Sequence, residues 1–147
     1  MSSEARTVLL VEDDTNDVLL VRRAFRKAGL TARIEVVGDG EAAVDYLARA
    51  QTQGGPGLVL LDLKLPRRPG LEVLGWLRDQ PGLRRLPVVV LTSSRESADV
   101  NRAYDLGANS FLVKPVGFAE LLEMVKTLDV YWLQLNQAPE IQSESRP

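Results

Sequence analysis

The sequence predicts an α/β fold, a doubly wound five-stranded parallel sheet with an extended C-terminal helix. Three observations carry that expectation. Short runs of leucine and β-branched residues recur without the polar alternation of a half-solvated strand, so each run is expected to be covered on both faces. Between the runs, apolar residues return at helical spacing. The most distinctive polar residues stand where the runs stop, and in a wound sheet that carboxyl edge is where ligands bind.

The first run, residues 7–11, stops at the acids Glu12, Asp13 and Asp14. Thr15, Asn16 and Asp17 supply cap and first-turn chemistry for a helix carrying Leu20, Val21, Ala24, Phe25 and Ala28, and Gly29 follows where a left-handed C-cap belongs. Asp14 reads as the cap of that helix rather than as a third ligand beside Glu12 and Asp13. A strand at 33–37, a turn at Gly38, Asp39 and Gly40, a helix at 41–50 and a flexible loop at 51–57 come next. The third strand, 58–61, ends in Asp62. A helix at 71–79 and an exit loop lead to a strand at 87–91, ended by Thr92. A helix at 97–106 is stopped by Gly107, and the last strand, 110–113, is ended by Lys114. The final helix runs from 118 to 135. Residues 7–128 are expected to form one domain, with 129–137 extending its last helix and 1–6 and 138–147 left as disordered ends.

Composition narrows the chemistry. The chain has 147 residues, enough for one independent core and too few for a second full domain. Eighteen basic residues against twenty acidic ones give a net charge of −2, which argues against nucleic acid as a partner. Cysteine and histidine are absent, so a bound metal must take oxygen ligands, which favours Mg2+ over Zn2+. No apolar run approaches the roughly 20 residues of a membrane span, and no basic-then-apolar leader follows Met1. A cytoplasmic location is expected, without membrane attachment.

Glu12, Asp13 and Asp62 brought together at strand ends would repel one another unless a cation sat among them or their pKa values rose. Mg2+ suits such a group. It would draw charge from a phosphoryl group while the Asp62 carboxylate attacks phosphorus. Lys114 would stabilise the equatorial oxygens, and the Thr92 hydroxyl would bond another phosphate oxygen only after transfer, and so could report it.

The ordered set Val11-Glu12-Asp13-Asp14, Leu60-Leu61-Asp62-Leu63-Lys64-Leu65-Pro66, Val90-Leu91-Thr92-Ser93-Ser94 and Val113-Lys114-Pro115 resembles the response-regulator receiver domains of two-component signalling, over about residues 7–128. That resemblance implies the flavodoxin-like receiver fold. It implies Asp62 as phosphoacceptor from the phosphohistidine of a sensor histidine kinase, Asp13 as a direct Mg2+ ligand and Glu12 as a ligand through water. The Lys64 backbone carbonyl would be a further ligand, and a cis peptide would join Lys114 to Pro115. Phe111 falls where the family places an aromatic switch that turns inward as the threonine moves. The family is a signalling phosphoacceptor rather than a turnover enzyme, with no small-molecule substrate beyond phosphodonors. Its signal would leave by protein contact, since no helix-turn-helix output is expected here. A phosphate sink or relay intermediate is the alternative role.

Two departures stand out. Lys64 occupies a variable position facing the water side of the phosphate with Ser94, where it is expected to hinder hydrolysis. The last helix is longer than the family's: its stripe of Phe118, Leu121, Leu122, Val125, Leu128, Trp132 and Leu135 runs past the sheet. Tyr131, Trp132, Leu133 and Leu135 are expected to form an exposed patch serving a homodimer. The extension resembles regulators paired with bacteriophytochrome histidine kinases. Other functions on this architecture fit less well. A flavodoxin-like redox protein needs a phosphate-cradling loop after the first strand, where acids stand here. An Asp-nucleophile Mg2+ phosphatase needs a general acid two residues after the nucleophile, where Lys64 stands.

Overall fold

A computed structural model describes residues 6–139. The expected disorder of 1–6 and 138–147 therefore falls largely outside the described residues. Strands β1 (Thr7–Val11), β2 (Arg33–Val37), β3 (Leu58–Leu61), β4 (Val88–Thr92) and β5 (Ser110–Val113) form one sheet in the order β2-β1-β3-β4-β5. All four pairings are parallel. Helices α1 (Thr15–Lys27), α2 (Gly40–Gln53), α3 (Gly70–Asp79), α4 (Ser97–Asp105) and α5 (Phe118–Leu128) alternate with the strands. The doubly wound five-stranded fold and its extended last helix are as the sequence predicts.

Strand alternation sorts the core into two layers. Leu9, Val11, Val59, Leu61, Val88 and Val90 face the layer that takes in α2 and α3. Val8, Leu10, Leu58, Leu60 and Val89 face Val21, Ala24 and Phe25 of α1 and Leu121, Val125 and Leu128 of α5. The central strands β1, β3 and β4 are thus covered on both faces, which is why they read as apolar runs, whereas the edge strand β2 carries Arg33 and Glu35. The order of winding reverses between β1 and β3, although the two strands run parallel, so the crevice between their carboxyl ends is the topological switch point.

Element boundaries depart from the sequence by more than one residue in two places. The α2 helix continues to Gln53, three residues into the stretch expected to be a flexible loop; Gly54, at φ 89°, supplies its stop. At the C-terminus the α-helix ends at Leu128 and the chain winds on as a π-helix over Asp129–Leu135, closed by the Asn136 N–H donating to the Tyr131 carbonyl at 2.6 Å. That wider winding corrects the expected stripe. Leu128 and Leu133, five residues apart, are the ones turned inward; Leu133 is 6% exposed and Leu135 72%. The expected exposed patch is accordingly split: Leu133 is core, Trp132 packs partly against it, and Tyr131 and Leu135 face outward.

A polar clamp joins α3 to the turns around it. The Arg78 guanidinium donates to the carbonyls of Gly107, Arg84 and Leu86 and to Asn109 Oδ1, at 2.7–3.0 Å. Burial lowers its pKa, but every acceptor in reach is an oxygen, so the charge is solvated by the protein itself.

Candidate phosphoacceptor and metal site

Sheet register places Glu12, Asp62 and Lys114 one step beyond their strands. The Glu12 N–H donates to the Val37 carbonyl at 3.0 Å, Asp62 N–H to Val11 at 3.1 Å and Lys114 N–H to Thr92 at 2.8 Å. Each side chain therefore leaves a backbone already fixed by a ladder bond. Asp14 behaves as a cap: its carboxylate accepts from the N–H groups of Asn16 and Asp17 at 2.8 and 3.2 Å.

Glu12, Asp13 and Asp62 offer carboxylate oxygens that all lie within 4.8 Å of one another. Glu12 and Asp62 are buried, whereas Asp13 is exposed at the mouth. Burial, reinforced by the nearby Asp62 charge and only partly offset by Lys114 and the Asp14 N–H, raises Glu12 to about 7. A crowded, oxygen-only donor set of this kind fits a hard divalent cation.

Lys114 supplies the positive charge. Its Nζ lies 2.6 Å from Glu12 Oε1, 2.8 Å from Asp17 Oδ2 and 3.1 Å from Asp62 Oδ2. Burial alone would lower its pKa; the bonds to Asp17 and Glu12 and the charge of Asp62 outweigh that and raise it. The cis bond implied for Lys114–Pro115 is absent, since the described chain has no cis peptide. The trans form is the intrinsically cheaper one, and from it Nζ already reaches all three carboxylates.

Thr92 is fully buried at the end of β4, and its Oγ1 has no hydrogen-bond partner. Beyond it, the Ser94 hydroxyl donates to Asp99 Oδ2 and accepts from the Glu96 N–H, tying the β4–α4 loop to the first turn of α4. Phe111 is half-buried against the α2/α3 layer. The Lys64 N–H donates to Asp62 Oδ1 at 3.3 Å, and its side chain is exposed. Gly70 leaves room for this backbone: a Cβ there would collide with the Asp62 carbonyl oxygen and lie 2.7 Å from Leu63 Cα.

The sequence reading missed Asp17 as a member of the site, treating it as first-turn chemistry. A signal existed. Asp17 precedes Val21, Ala24 and Phe25 at spacings of four, seven and eight, so an acid occupies the inward stripe of α1.

Comparisons with known proteins agree with this geometry. Residues 8–126 match the family model described as response regulator receiver domain. The chain is 46% identical over 135 residues to a probable methanogenesis regulatory protein, FilR2, of Methanothrix harundinacea, covering 90% of this chain and 86% of that protein. A crystal structure of the phosphorylated cyanobacterial phytochrome response regulator RcpA superposes with a TM-score of 0.86 at 33% identity, over 93% of this chain and all of RcpA (100%). The Mn2+-bound form of response regulator Rcp1, a protein of Synechocystis, superposes with a TM-score of 0.81 at 36% identity, over 91% and 99% of the two chains. With the acids, the lysine and the threonine at the carboxyl edge of a sheet wound in this order, the chain belongs to the response regulator receiver domain family.

Proposed function

We propose that this receiver domain accepts a phosphoryl group on Asp62 from the phosphohistidine of a sensor histidine kinase and thereby changes its binding surface. The observation that carries the proposal is the contact set of Asp62. Its carboxylate is 6% exposed, lies in reach of Lys114 and shares a 4.8 Å cluster with Glu12 and Asp13. In the transfer, an Asp62 oxygen forms a bond to phosphorus as the phosphorus–nitrogen bond breaks, and the electron pair leaves with the imidazole. Asp13 and Asp62 would hold Mg2+ directly, Glu12 through water, with the Lys64 carbonyl as a further ligand. Bound there, the cation would neutralise charge on the phosphoryl oxygens. Lys114 donates to one of those oxygens. Thr92 then finds for its hydroxyl the acceptor it lacks before transfer.

The switch follows from that last bond: phosphate favours the arrangement of the β4–α4 loop in which Thr92 is satisfied, with Phe111 repacking beside it. Kinase contact is assigned to two exposed apolar side chains near the site in sequence, Leu19 two residues after Asp17 on α1 and Val116 two residues after Lys114. The likeness to RcpA supports a phytochrome-type kinase as donor. Self-association is assigned to the helix tip, with Tyr131, Trp132 and Leu135 contributing and Leu133 holding the tip in place.

Uptake of phosphate from acetyl phosphate with Mg2+ tests the central claim. Wild type should become labelled and Asp62→Asn should not; label retained by the variant would overturn the assignment. The same preparation tests Lys64, whose exposed side chain is proposed to slow hydrolysis. The label should decay faster in Lys64→Asn, and equal or slower decay removes that role.

A further inference from the structure

We propose that Asp17 is a positioning residue for Lys114, holding its ammonium from the side of α1 so that one N–H remains free to follow the phosphoryl group. This rests on the phosphoacceptor reading of Asp62 and adds to it a residue outside the acidic cluster.

The ammonium has three donors and the structure gives it three acceptors: Glu12, Asp17 and Asp62. Two of these, Glu12 and Asp62, also belong to the cluster suited to a divalent cation, whereas Asp17 does not. A cation held among the acids would compete with Lys114 for Glu12 and Asp62, while Asp17 lies outside that donor set. Once an Asp62 oxygen carries phosphorus, its hold on the lysine weakens as well. Asp17 is then the anchor that persists.

Its backbone is suited to that task. Asp17 lies in the first turn of α1, where its N–H is bonded to the Asp14 cap, and α1 packs against α5 and the sheet. Lys114 has no comparable support beyond its own ladder bond, since Pro115 and the exposed Val116 lead it into a loop. A fixed carboxylate facing a long flexible side chain defines where the ammonium rests. Without Asp17, Lys114 would lean wholly on Glu12 and Asp62 and oppose the cation there.

An acid in the first turn also stabilises a helix through its dipole, so stability alone cannot identify the role. The test is a double-mutant cycle on the full chain with Asp17→Asn, Lys114→Met and both together. It is read by the rate of phosphate uptake from acetyl phosphate at saturating donor and by Mg2+ affinity from calorimetry. With Lys114 present, Asp17→Asn should slow uptake by about tenfold and weaken Mg2+ binding, while Asp17→Glu should recover part of both. With Lys114→Met, removing Asp17 should change either quantity by less than about twofold. Equal losses in both backgrounds, or no loss in either, overturn the proposal. If wild type takes up no phosphate, the phosphoacceptor reading fails, and the cycle on Mg2+ affinity still decides whether Asp17 acts through Lys114. Absence of Mg2+ binding by wild type as well overturns both.

Discussion

Among the described residues, single side chains divide into those that are satisfied and a buried threonine hydroxyl that is not. Lys114 has a carboxylate for each of its donors, whereas Thr92 keeps a buried hydroxyl with no partner. An unmet buried donor costs on the order of 1–3 kcal/mol, so the unphosphorylated state carries a penalty that a phosphoryl oxygen would relieve. Thr92→Val should therefore raise the stability of the unphosphorylated protein by about 1 kcal/mol in urea unfolding, and phosphorylation should erase that advantage. A variant less stable than wild type in both states would show that the hydroxyl is satisfied some other way. The residue types at the strand ends were legible because acids, a threonine and a lysine are conspicuous after apolar runs. Asp17 was not, because an acid three positions past a helix cap has an ordinary explanation in the helix itself.

Elements hold these groups in place through a few close approaches. Gly70 opens α3 directly against the Asp62 carbonyl, where no side chain fits between helix and loop. Gly70→Ala should cost at least about 2 kcal/mol and abolish phosphate uptake, because the neighbour that must yield is backbone. Gly75 provides the contrast within the same helix: its Cβ would meet only Leu106 Cδ2 at 3.7 Å. Gly75→Ala should leave uptake intact and raise stability by about 0.5–1 kcal/mol, as alanine does in a helix interior. Equal behaviour of the two variants in thermal unfolding and uptake would refute the distinction. Strand limits were legible almost to the residue, since apolar runs end sharply. The reach of α2 was not, because Gln51, Thr52 and Gln53 are polar and carry no periodic signal, and the Arg78 clamp was hidden because its acceptors are mostly carbonyls, as far as 31 residues away.

At the scale of the whole molecule, winding order brings Glu12, Asp62, Thr92 and Lys114 to one edge from four different strand ends. That convergence was legible because parallel crossovers leave few other topologies open. The helix tip was not legible, since α spacing and π spacing assign different residues to the inside. The distinction changes how self-association is tested. Removing everything after Leu128 would also strip Leu133 from the core, so the informative variant is Tyr131→Ser with Leu135→Ser, which alters only outward side chains. Sedimentation should show this variant shifted toward monomer with its unfolding temperature nearly unchanged; an undisturbed dimer would place the contact elsewhere. The π winding has one more consequence. A helix end that departs from α pitch works as a dial: a change of length by a single residue within Asp129–Leu135 would turn whatever lies beyond it to a new compass direction. Neither the sheet nor the acidic cluster contributes a residue to that segment, so its geometry can drift while the cluster stays put.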